Sequence, residues 1–302
     1  VGVKENIEED RLIQRLKRWG KSKYSVRAVI LTSSRANPYA NVDIFSDYDI
    51  ILVVTDILPY SEDRSWLGNF GDVLVVYRDP IRRWHGFGKF AYITQYEDGT
   101  KIDFTLWPIE ILRRINEDPE LPQDLDIGYK VLLDKDDITQ GMKSPTYMAY
   151  IPSPPTEVEY HELIEVFFHE ATYVAKHLWR GDLMTAKYNL DYVMKMKKLR
   201  VILEWSVEID HNWSLKMGAY GRGLKNFVKP ERWSKLESTY VGAGMQENWE
   251  ALFQTIALFR ETAIEVGANL GYPYLNDLDR RMLAYLKTVK DLDPKANRIH
   301  YK

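Results

Sequence analysis

The chain of 302 residues is long enough for two domains, each with its own core. Its 45% hydrophobic and 28% charged residues exclude a fibrous repeat or extensive disorder. Lys plus Arg total 41 against 44 for Asp plus Glu, a net charge of −3, so neither a general phosphate-neutralising surface nor a stable nucleic-acid partner is expected, whereas a cationic small molecule meets less opposition.

With no cysteine there is no disulfide framework, thiol nucleophile or Cys-type zinc site. No apolar run reaches about 18 residues, so no membrane span is expected. The first ten residues, VGVKENIEED, are charged rather than an apolar secretion signal, and a cytoplasmic enzyme is the simplest expectation.

In chain order, Ile7, Leu12, Leu16 and Trp19 predict an amphipathic helix over 7–19. Val26 to Leu31 reads as a buried strand followed by the polar turn TSSRAN; a second strand starts near Asp49 and a third spans 72–77. Residues 90–107 predict two strands joined at Asp98-Gly99, a hairpin signal. On the outgoing strand Ile102, Phe104 and Leu106 share one face, and Asp103 and Thr105 the other.

Residues 108–160 hold several short elements, and the proline-rich stretch KSPTYMAYIPSPPTEVEY places a domain boundary near 150, within about ten residues. The expected domains are therefore 1–150 and 151–302. Beyond the boundary the periods are helical. Leu163, Val166, Phe167, Tyr173, Val174 and Leu178 mark one helix; a second starts after Gly181, with Asp182 as N-cap and Leu190, Val193, Met194 and Leu203 on its buried side. A third over 246–267 uses Trp249, Leu252, Phe253, Ile256, Phe259, Ala263 and Val266, and a last one covers 277–293 ahead of a terminal extension. Such stripes need one another, so the fold class is an α/β domain with a mixed sheet followed by an all-α helical bundle.

The most informative stretch is SSRANPYANVDIFSDYDIILVV, residues 33–54. Asp47 and Asp49 are two apart at a strand entrance, so both side chains can point the same way, and Asp103 can join them if its strand lies alongside. Three carboxylates suit Mg²⁺, which binds protein acids together with water and substrate phosphates. The same residues could instead cap a turn (Asp47), cover a sheet edge (Asp49) and form an ordinary salt bridge (Asp103). Ser33, Ser34 and the backbone of their turn can receive phosphate oxygens, with Arg35 adding a bidentate positive charge; a plain polar connection is the alternative. No P-loop pattern is present.

These residues resemble the aminoglycoside 6-adenylyltransferases (streptomycin adenylyltransferases) within the polymerase-β-like nucleotidyltransferase superfamily, whose first-strand GSR motif precedes paired acids and a later strand acid. SSRANPYANVDIFSDYDI (33–50) matches the first two parts, and DGTKIDFTLWP (98–108) carries the third. TYVAKHLWRGDL (172–183), SLKMG (214–218) and STYVGAGMQENWEALFQTIALFR (238–260) resemble the family's helical region, so the likeness covers most of the chain.

The resemblance implies an N-terminal nucleotidyltransferase domain and a helical domain completing an acceptor cleft. It implies metal-binding and catalytic roles for Asp47, Asp49 and Asp103, an ATP-phosphate contact for Ser34 beside Ser33, and a supporting role for Arg35. Mg²⁺ would be the cofactor, ATP the donor of AMP, and a streptomycin-like aminoglycoside the acceptor. Another small acceptor, or binding without catalysis, are the competing functions. Ser33 stands where the motif has Gly, which allows positive φ; Ser either sits there at negative φ or weakens triphosphate placement.

On the acceptor side Glu170 falls between Val166 and Tyr173, within the expected apolar face, where desolvation would suit a general base. Pairing with a buried cation or Tyr is the alternative. Asp182 is a second acid, better explained as a helix cap. His161, His169, His177 and His211 fit no zinc pattern, and Trp179, Trp205, Trp213 and Trp249 are read as core or boundary groups.

Overall fold

In the computed structural model, residues 2–296 are described apart from Lys216, together with Arg298 and Ile299; for residues 2–10 only the backbone is described. The side chain of Ile7 and part of both the SLKMG stretch and the terminal extension therefore lie outside the described residues. The chain divides into two compact units, Val1–Tyr150 and Ile151–Lys302. Among the described residues no helix is long and apolar enough to cross a membrane.

The first unit is built on apolar runs that become central strands. β1 (Val26–Thr32) and β2 (Tyr48–Val54) are buried along almost their whole length, as strands covered on both faces must be. β3 (Val73–Arg78), β4 (Arg82–Trp84), β5 (Phe87–Tyr96), β6 (Lys101–Pro108) and β7 (Tyr129–Asp134) complete a seven-stranded sheet in the order β3-β5-β6-β2-β1-β7, with β4 paired to β5. The β2–β6 pair is parallel and the other pairs are antiparallel, so the sheet is mixed.

The β5–β6 hairpin turns at Asp98-Gly99, where Gly99 has φ 89° and the Asp98 carboxylate accepts from the Thr100 amide at 2.9 Å. Ile102, Phe104 and Leu106 pack together with Leu16 and Trp19 of α1 (Gly2–Ser22). The 3₁₀ turn Ser65–Phe70, after the short α2 (Leu58–Glu62), closes that face. On the opposite face Ile51, Val53 and Trp107 are covered by Ile111, Leu112 and Ile115 of α3 (Ile109–Glu117) and by Leu125 of α4 (Gln123–Asp126). Asp49 and Asp103 share the parity of this second face. They lie at the strand entrances, away from the residues that α3 covers.

The second unit is helical. α5 (Glu157–Arg180) begins with a capping box in which the Glu159 amide donates to Thr156 Oγ1 at 3.2 Å and the Thr156 amide to Glu159 Oε2 at 2.7 Å. It ends at Gly181, whose φ of 77° suits only a residue without Cβ constraint. α6 (Leu183–Lys187), a π-helical segment (Tyr188–Leu199) and α7 (Arg200–Asp210) then run consecutively, followed by α8 (Pro230–Ser238), α9 (Met245–Leu270) and α10 (Asn276–Lys290). Phe167 of α5 and Phe259 of α9 stack with ring centroids 3.7 Å apart at the centre of this core.

Two sequence expectations need correction. The buried stripe of α5 runs through Tyr160, Ile164, Phe167, Ala171, Val174 and Leu178, whereas Val166 and Tyr173 are exposed. Those two residues are seven apart, two helical turns, so they lie on a common outer stripe. Asp182 does occupy the N-cap position of α6, but its side chain makes no capping hydrogen bond; it faces His177 Nδ1 at 3.2 Å instead.

Candidate active site

The register of the sheet aligns the acids. Thr32 at the end of β1 pairs with Asp49 on β2, and Asp49 pairs directly with Asp103 on β6. Adjacent strands lie ~4.8 Å apart, so these two side chains on one face are immediate neighbours. Asp47 precedes β2 in the loop that enters it and joins them through a cation: Lys101 Nζ is 2.5 Å from Asp47 Oδ2 and 3.3 Å from Asp103 Oδ2.

Electrostatics follow from this crowding. Burial, with the charges of Asp103 and Asp47, pushes the Asp49 carboxyl up to about 6, against the opposing Ser33 hydrogen bond and Lys101 charge. Burial also raises Asp103, which Lys101 opposes and the charges of Asp47 and Asp79 reinforce. Burial pulls Lys101 down, but its bond to Asp47 and the charges of Asp103 and Asp47 outweigh this and raise it.

The turn after β1 is braced from below. Ser33 donates its amide to Gly128 O at 3.1 Å, and Asn37 Nδ2 donates to Ile127 O at 2.8 Å. Gly128 has φ 129°, and a Cβ there would meet Asn37 Cα at 3.1 Å. Ser33 itself stands at φ 61°, in the left-handed region, and its hydroxyl favours the ionised form of the Asp49 carboxyl. The negative-φ alternative for this position is therefore incorrect: Ser occupies a conformation that favours Gly. Ser34 is half-buried beside it.

Arg35 is directed at the loop before β2. Its Nε lies 3.2 Å from the carbonyls of both Ser46 and Asp47, Nη2 lies 2.9 Å from Ser46 O, and the guanidinium sits 3.9 Å from the ring centre of Tyr48. It thus holds the chain that presents Asp47. Neither this brace nor the role of Lys101 is legible in the sequence, where the signal for Lys101 is its position two residues before Asp103 on a strand.

Glu170 shares the outer stripe of α5, at its margin, with its side chain 19% exposed and His169 Nδ1 3.9 Å away. It belongs to the helical unit, whereas Ser33, Ser34, Arg35, Asp47, Asp49 and Asp103 belong to the first.

Among the described residues no group of three or more His, Asp or Glu side chains is already gathered as a metal cage. The residues nevertheless fit a hard divalent ion. The donors are all carboxylate oxygens, Asp103 Oδ1 is buried without a hydrogen-bond partner, and Asp49 carries a like-charge penalty that a cation relieves. Mg²⁺ ordinarily uses one or two protein carboxylates and takes its other ligands from water and phosphate, so a full cage is not required.

A mixed sheet that opens paired acids beside a polar turn, followed by an all-α unit, is the architecture of a nucleotidyltransferase. The sequence profile described as streptomycin adenylyltransferase matches residues 7–289, and the chain belongs to that family of enzymes. The aminoglycoside 6-adenylyltransferase of Bacillus subtilis (strain 168) is 31% identical over 272 residues, covering 87% of this chain and 91% of that protein. Its namesake in Campylobacter jejuni is 31% identical over 258 residues, with coverages of 85% and 87%. The Staphylococcus aureus enzyme of the same name is 26% identical over 258 residues, covering 83% of this chain and 88% of that protein.

Proposed function

We propose that the protein transfers AMP from ATP to a hydroxyl of a streptomycin-like aminoglycoside, releasing pyrophosphate. The observation that carries this reading is the direct pairing of Asp49 with Asp103 across two parallel strands, with Asp47 joined to them through Lys101. The aminoglycoside acceptor rests on the names of the relatives, and the net charge of −3 accords with a cationic substrate.

In this reading Asp47, Asp49 and Asp103 hold Mg²⁺ for MgATP. When bound, the ion supplies charge neutralisation on the triphosphate and lowers the pKa of the acceptor hydroxyl. The acceptor oxygen forms a bond to the α-phosphorus as the bond to the β-phosphate oxygen breaks, and pyrophosphate leaves with that electron pair. The Ser33 hydroxyl favours ionised Asp49, and Ser34 contacts a phosphate. Arg35 holds the Asp47 loop in place, so that the acids keep their positions while charge develops. Glu170 is the proposed acid for acceptor contact and removal of the hydroxyl proton.

The test is incubation of the purified protein with ATP, Mg²⁺ and streptomycin. The expected result is pyrophosphate release matched by an AMP-sized increase in the mass of the drug. Turnover with other aminoglycosides but not streptomycin would reject the named acceptor; binding without pyrophosphate release from any of them would reject the transfer.

A further inference from the structure

We propose that Lys101 occupies the cation position of the acid cluster in the metal-free protein and must leave Asp47 when a divalent ion enters. The inference rests on the metal role proposed above for the three acids.

Lys101 opens β6 two residues before Asp103, so alternation puts both side chains on one face. Its ammonium reaches across to Asp47 at 2.5 Å while remaining 3.3 Å from Asp103. Two of the three acids thus share one monovalent cation, and the third, Asp49, pairs with Asp103 from the neighbouring strand. The contact is partly shielded: the side chains of Lys101, Asp47 and Asp103 are 31%, 35% and 21% exposed.

One ammonium does not satisfy this cluster. With all three acids ionised it leaves a local charge of −2, and Asp103 Oδ1 stays buried without a partner. A divalent ion in place of Lys101 lowers that charge to −1 and offers Asp103 Oδ1 a partner, but it needs oxygens that Lys101 engages, and repulsion between the two cations in a partly shielded site opposes joint occupancy. Lys101 therefore stabilises the cluster when no ion is present and competes with the ion for it. Free metal is held weakly, and tight loading falls to the metal–nucleotide complex, whose phosphates bring ligands of their own.

The test measures binding of Mn²⁺ alone, without nucleotide, to the full chain by calorimetry. Wild type is compared with Lys101→Met, Lys101→Gln and Lys101→Arg, and Asp103→Asn marks the site. Loss of the competing charge should tighten Mn²⁺ binding in the Met and Gln variants about tenfold, equivalent to ~1.4 kcal/mol. Lys101→Arg, which keeps the charge, should stay close to wild type. In EDTA the Met and Gln variants should melt below wild type, and Mn²⁺ should stabilise them more than it stabilises wild type. A side chain that merely supported the strand would weaken the ion site when removed. Equal or weaker Mn²⁺ binding in the Met and Gln variants, still abolished by Asp103→Asn, would overturn the role of Lys101 and leave the metal role of the acids standing. Absence of any Mn²⁺ binding that depends on Asp103 in every form would overturn both.

Discussion

The hydroxyl of Ser33 favours the ionised form of the Asp49 carboxyl, from a residue whose own backbone stands at φ 61°. One side chain therefore both steadies an acid of the cluster and occupies a conformation that costs an L-residue about 1 kcal/mol or more. The two effects separate by substitution. Ser33→Ala keeps the strain and loses the hydroxyl, while Ser33→Gly loses both. Urea unfolding should show the Gly variant more stable than the Ala variant by ~1 kcal/mol. An Ala variant equal to or above Gly would mean that the left-handed conformation is not adopted in solution.

Asp49 gives the metal-free protein a defined pH response. Its folded carboxyl is pushed up to about 6 from an ordinary 3.8, so between those values the native state binds more protons than the unfolded state. Stability contributed at this position is present at low pH and declines as pH rises from about 4 to about 6. Above that window ionised Asp49 costs ~1–3 kcal/mol, and Asp49→Asn removes the cost. In EDTA at pH 7.5, Asp49→Asn should therefore unfold at higher urea than wild type, with the difference shrinking toward pH 4. A pH-independent difference would show that Asp49 ionises normally in the fold.

Glu170 lies on the margin of α5 with 19% of its side chain exposed. If it takes the acceptor proton, Glu170→Gln should lower kcat by about 10²-fold or more and alter the pH–rate profile, the scale of a positioned general base. KM for ATP should change little. An unchanged rate and profile would remove Glu170 from the proposed chemistry.

In the helical core Gly267 reverses an ordinary expectation. Gly→Ala inside a helix usually stabilises by up to ~1 kcal/mol. Here a Cβ would lie 2.4 Å from Tyr160 Oη and 2.8 Å from Tyr272 O, and Tyr160 Oη already donates to Ala263 O at 2.8 Å. Gly267→Ala should therefore destabilise by ~1–3 kcal/mol through overpacking and displacement of the buried phenol. A stabilised variant, measured by thermal melting, would contradict this packing.

The legible features in the sequence were those set by short range. Ile102, Phe104 and Leu106 alternate with Asp103 and Thr105, and Asp98-Gly99 marks the turn, so the orientation of Asp103 followed from chain periodicity. The mixed sheet and the helical unit were readable for the same reason. Features that depend on meetings between distant segments were not. The Lys101–Asp47 contact spans 54 residues, and Ser33's positive φ is imposed by a turn braced against Gly128. The phase of α5 was misread because its outer stripe also carries apolar Val166 and Tyr173. Only the neighbouring helices decide which apolar residues are buried. Strand β7 was hidden among the short elements of 108–160, since only four of its residues are even partly buried.

The role proposed for the paired carboxylates on β2 and β6 is nucleotidyl transfer. Its most direct test is the rate of pyrophosphate release, with ATP, Mg²⁺ and aminoglycoside present, for Asp49→Asn and Asp103→Asn against wild type. Both variants should lose at least about 10²-fold in kcat while retaining cooperative thermal unfolding, because each removes charge that stabilises the transition state. A folded variant of either kind that works at near-wild-type rate would remove that carboxylate from the proposed chemistry.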